Sequence, residues 1–81
     1  MKVERVQTGV RVEKRLLKVL KGLAEYLDMS LGDLLEGIVL HAFEGRGPFE
    51  PRTLEKIAQL NEVYGVDFGA EAIHKMEEAV D

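Results

Sequence analysis

A chain of 81 residues with no cysteine and a formal net charge of −4 excludes disulfide stapling and a cysteine-built zinc centre. At this length a lone chain buries only about 60–65% of the surface that its unfolded form exposes, so pairing with a second copy is the expected route to stability. The first residues, Met1 to Arg5, carry charges of both signs, and no run approaches the ~20 apolar residues of a bilayer span. Neither a targeting signal nor a membrane segment is read, and the expected compartment is the cytoplasm.

The charge is unevenly spread. Residues 1–21 hold seven cations (Lys2, Arg5, Arg11, Lys14, Arg15, Lys18 and Lys21) against Glu4 and Glu13, a surplus of five. Residues 47–81 hold three cations, Arg52, Lys56 and Lys75, against eight acids, a deficit of five. A basic amino-terminal quarter followed by an acidic tail is the asymmetry of a partner-binding surface.

Residues 5–12 alternate at period two. Val6, Thr8, Val10 and Val12 share one face, while Arg5, Gln7, Gly9 and Arg11 share the other. The pattern predicts a half-buried strand with a β-branched inner face. One strand is not stable alone in water, and nothing else in the chain reads as its partner, so a second copy is the expected one.

Residues 13–27 change to helical period. Leu16, Leu20, Leu23 and Leu27 form an apolar stripe with Leu17 and Ala24 beside it, and Lys14, Lys18 and Lys21 form a basic stripe opposite. Gly22 interrupts this helix at a cost of about 1 kcal/mol relative to Ala. Asp28, Met29 and Ser30 make the break, with Ser30 capping the next helix and Asp33 in its first turn. Residues 31–44 predict a second helix, in which Leu31, Leu34, Leu35, Ile38, Val39, Leu40, Ala42 and Phe43 leave little polar surface. So apolar a helix needs burial on nearly all sides, which two copies packed together supply, and Gly37 would let their backbones approach.

Residues 45–51 form a linker by their Gly and Pro content. Beyond it the pattern predicts a carboxy-terminal helical hairpin over 52–81. Its first helix starts near Pro51, in a permitted first-turn position, and stops at Gly65. The second runs from about Phe68 to Val80, capped by Asp67, with Phe68, Ala72, Ile73, Met76 and Val80 facing inward. The fold class read here is mainly α.

A short strand, an amphipathic helix, a Ser-capped turn and a highly apolar helix, in that order over residues 5–44, resemble the ribbon-helix-helix (Arc/MetJ/CopG-like) DNA-binding family. Residues 1–44 are then the dimerisation and DNA-binding unit. The resemblance implies that two strands pair antiparallel across a dimer and enter the major groove as a ribbon. Matching positions make Gln7, Gly9 and Arg11 the base readers. Arg11 suits guanine and Gln7 an adenine edge, while Gly9 departs from the pattern by offering no side chain. The start of the second helix, Ser30, Leu31 and Gly32, would hold a phosphate, with Asp33 opposing it, and Lys14, Arg15 and Lys18 would add phosphate contacts. The dimer core would comprise Val10, Val12, Leu34, Leu35, Ile38, Val39 and Phe43.

The expected function is therefore a homodimeric, sequence-specific DNA-binding transcriptional regulator, with higher oligomers open. Catalysis has little to stand on. Ser30 is the sole serine and reads as a cap, and His41 and His74 lie in no motif, so neither an enzyme, a metal nor a cofactor is expected. The competing reading is an antitoxin-like interaction protein, whose acidic residues 52–81 bind a protein partner. A third keeps the fold but loses DNA binding, for which Gly9, Asp33 and the overall acidity speak.

Overall fold

A computed structural model describes residues 1–77 of the chain. Three helices account for its regular structure: α1 (Lys14–Tyr26), α2 (Leu31–Phe43) and α3 (Pro51–Tyr64), followed by a single 3₁₀ turn at Ala70–Ala72. The mainly α expectation holds. None of the three helices is long and apolar enough to cross a membrane.

The helix ends lie where local chemistry sets them. α1 stops at Leu27, and Asp28 takes a left-handed φ of 57°. The amides of Asp28 and Met29 then bond back to Glu25 O at 3.1 Å and Ala24 O at 3.0 Å, closing the helix with a Schellman pattern. Ser30 caps α2, its Oγ accepting from the Asp33 amide at 3.1 Å. Gly45 ends α2 in the same way as Asp28 ends α1, with the amides of Gly45 and Arg46 reaching Ala42 O and His41 O. α3 begins at Pro51 and ends at Gly65, whose φ of 74° is the left-handed conformation expected of a stop glycine.

α1 lies between the other two helices and packs more extensively on α3 than on α2. The core is small: Leu23, Ala24 and Leu34 are buried, and Leu20, Leu27, Ile38, Phe49, Ile57 and Leu60 pack around them. Val19 is buried as well. It falls outside the stripe read from the sequence, because α1 is covered on two sides and its buried sector is wider than one stripe. Leu16, by contrast, stands exposed at the stripe's edge. Gly22 now has a reason. A Cβ there would meet Leu60 Cδ2 at 3.2 Å, so the missing side chain is what lets α3 run close to α1.

Two expectations fail. Residues 5–12 form no strand, and among the described residues there is none, so the ribbon implied by the family resemblance is absent. The alternation of Val6, Thr8, Val10 and Val12 is present, but a strand exists only through ladder hydrogen bonds to another strand, and the described residues supply none. The second helix of the carboxy-terminal hairpin also fails. Between Phe68 and Glu77 only the turn at Ala70–Ala72 forms, and the remainder of the predicted helix, including Val80, lies outside the described residues. A helix of that length depends on burying its apolar face. Ile73 and Met76, read as inward-facing, are exposed instead.

The molecule is loosely packed for its size. Its radius of gyration is 13.9 Å, against about 11.7 Å for a compact domain of this length. It exposes 7249 Å² of surface, where a compact monomer of the same mass exposes roughly 4,900 Å².

Candidate nucleic-acid and self-association surface

The cationic face is positioned by the start of α1. Glu13 caps that helix, its carboxylate accepting from the amides of Arg15 at 2.9 Å and Leu16 at 3.1 Å. Partial burial alone would raise the Glu13 carboxyl, but the Leu16 amide and the bonds and charge of Arg15 together hold it below the ordinary glutamate range. With the first turn set there, Lys14, Lys18 and Lys21 stand exposed along the outer side of α1.

Arg15 points elsewhere. Its Nη1 donates to Gly65 O at 3.2 Å and lies 3.9 Å from Asp67 Oδ1, and its guanidinium sits 5.2 Å from the centre of the Phe68 ring. Lys18 Nζ lies 5.9 Å from the centre of the Tyr64 ring. Of the three α1 residues read as phosphate contacts, Arg15 thus leans on the segment that follows α3 and Lys18 on the last residue of α3. No pattern in the sequence signals this, because the pairing is set by where α3 ends.

The amino-terminal segment carries Gln7, Gly9 and Arg11, all exposed, as are Val6 and Val10. Arg5 ties the segment to α2. Arg5 forks onto Glu36 of α2, with Nε donating to Oε2 at 3.1 Å and Nη2 to Oε1 at 2.9 Å. The hydrogen bonds and charge of Glu36 push Arg5 above its ordinary value, and the Arg5 hydrogen bond in turn holds Glu36 below its own. Both side chains are about half exposed, 62% and 49%, so the pair contributes orientation more than stability. It brings Met1 and Val3 alongside Leu35, Val39 and Leu40, with a shallow apolar groove between them.

At the start of α2, the Ser30 hydroxyl already serves the Asp33 amide, and Asp33 occupies the same first turn as Leu31 and Gly32. The expected phosphate site therefore carries an acid within it.

The residues read as a dimer core divide into two sets. Leu34, 4% exposed, and Ile38 belong to the chain's own core. Leu35, Val39 and Phe43 recur every four residues on another side of α2 and stand in solvent, Phe43 at 83%. Val10 and Val12 on the amino-terminal segment are exposed too. Gly37 lies away from the Leu35–Val39–Phe43 row, and a Cβ there would meet nothing within 4 Å.

Among the described residues no group of three or more His, Asp or Glu side chains is placed to hold a metal. The arrangement thus offers a cationic helix face, an exposed basic segment and an apolar row. No known protein family, curated protein or solved structure matches the chain.

Proposed function

We propose that this protein acts in the cytoplasm as a homodimeric DNA-binding transcriptional regulator. The observation that carries the DNA reading is the separation of charge: residues 1–21 hold a surplus of five positive charges, and Lys14, Lys18 and Lys21 among them stand exposed on the outer face of α1. Lys14, Lys18 and Lys21 supply phosphate contacts, and Gln7 and Arg11 supply donors for base edges. The dimer reading is supported by the excess surface. Roughly 2,300 Å² beyond the expectation for a compact monomer is close to what one partner of a large obligate dimer buries. The exposed row of Leu35, Val39 and Phe43 is its apolar part.

The test is a fluorescence-anisotropy titration against mixed duplex DNA at two salt concentrations, with sedimentation of the free protein. The expected result is a dimer whose log affinity falls with log salt by about 0.9 for each phosphate neutralised. Lys18→Ala then weakens all duplexes alike, while Arg11→Ala lowers the preference among them. No salt-dependent binding to any duplex at low salt refutes the reading.

The competing reading is a protein-binding module acting through residues 52–81. Ile73 and Met76 favour it, standing exposed in an otherwise acidic tail. α3 counts against it, since Ile57 and Leu60 are engaged in the core and unavailable to a partner.

A further inference from the structure

We propose that the segment following α3 is an autoinhibitory latch on α1, competing with DNA phosphate for Arg15. The proposal rests on the DNA-binding reading and adds to it a device that regulates the same face.

Arg15 has three separate ties to a stretch of four residues. Gly65 O accepts its hydrogen bond at 3.2 Å, the Asp67 carboxylate lies at 3.9 Å, and the Phe68 ring lies under its guanidinium at 5.2 Å. One turn further along α1, Lys18 meets the last aromatic of α3, Tyr64, at 5.9 Å. These are the chemistries by which a guanidinium and an ammonium engage nucleic acid: an anionic oxygen, a carbonyl and an aromatic face. The segment therefore presents the cations with a small internal imitation of their ligand.

Gly65 sets the geometry. Its left-handed backbone, φ 74°, ends α3 and turns the chain, and the Val66 amide returns to Asn61 O at 2.8 Å. Asp67 and Phe68 follow directly and meet Arg15. Phe68 is only half-buried and is not part of the core cluster, so the latch can leave without unfolding the three helices. Each tie is an exposed contact of modest strength, which is what a displaceable latch requires.

The test uses the full chain with Asp67→Asn and Phe68→Ala combined, and circular dichroism to confirm that the helices persist. Arg15 keeps its Nε bond to Glu13 at 3.2 Å, while its Nη groups, released from the segment, become available to phosphate. Mixed duplex should bind the variant about three- to tenfold more tightly than wild type at low salt. The slope of log affinity against log salt should steepen by about 0.9, for the one cation freed. Arg15→Ala should cost more affinity in the released background than in wild type, a coupling that general loss of acidity would not produce. A measurement without DNA follows the contact itself: phenylglyoxal should modify Arg15 faster in the variant.

Equal duplex affinity and equal slope for wild type and variant, or an unchanged rate of Arg15 modification, overturn the latch and leave DNA binding standing. No duplex binding by either protein overturns the DNA reading and the latch together.

Discussion

Gly22 marks the place where α3 crosses α1. Its absent side chain is filled by Leu60, whose Cδ2 would stand 3.2 Å from an added Cβ. A methyl group displaces only the tip of a flexible side chain, but a longer one wedges the helices apart. Gly22→Leu should therefore destabilise the chain by about 1–3 kcal/mol in urea melts, despite the better helix propensity of leucine. Asp28 presents the opposite case, an L-residue held at a φ of 57° in the Schellman turn. Asp28→Gly removes that strain and should raise stability by about 0.5–1 kcal/mol, read as a higher urea midpoint at unchanged slope. The contact at Gly22 depends on the position of α3, whereas the strain at Asp28 belongs to its own turn.

At the scale of elements, the amino-terminal segment is held to α2 by Arg5 and Glu36. Because the Glu36 carboxyl is held below its ordinary value, its contribution is fully present above the unfolded value of about 4.3. It is lost as pH falls through the lower folded value. The Arg5 side-chain Nε resonance should accordingly shift at acid pH with a midpoint below that of an ordinary glutamate, and Glu36→Gln should abolish that transition. A midpoint at the ordinary value would show that the pair is not made in solution. The helices themselves were legible residue by residue. Ser30 announces the start of α2, Pro51 the start of α3 and Gly65 its end, because capping is chemistry within one turn. Glu13 was the cap that pattern missed, since the segment before it read as a strand.

For the whole molecule, the governing quantity is surface. The three helices bury one small cluster around Leu23, and the apolar row of α2 is left outside it. If that row pairs two copies, Val39→Asp should convert a dimer to a monomer in sedimentation while the helical circular dichroism survives. Val39 is 43% exposed and lines the groove beside Met1 and Val3, so the substitution costs the monomer only modestly. A wild-type protein that sediments as a monomer would refute the pairing outright. The charge asymmetry also belongs to this scale. Residue counting alone locates the cations, but it does not say which of them face solvent and which, like Arg15, face the chain's own tail.

Three helices, the ends of α2 and α3, the mainly α class and the concentration of cations in the first quarter were legible locally, because periodicity and capping are properties of neighbouring residues. Tertiary structure decided the rest. The alternating residues 5–12 do not become a strand, since a ladder needs a partner that lies outside local sequence. The predicted helix after Phe68 gives way to one short turn between Phe68 and Glu77, since Ile73 and Met76 find no core to enter. Gly22 acquires its purpose, and Arg15 its aromatic and acidic partners, only once α3 is laid along α1. In each case the deciding interaction joins residues far apart in the chain, and its free energy depends on a surface that exists only after folding.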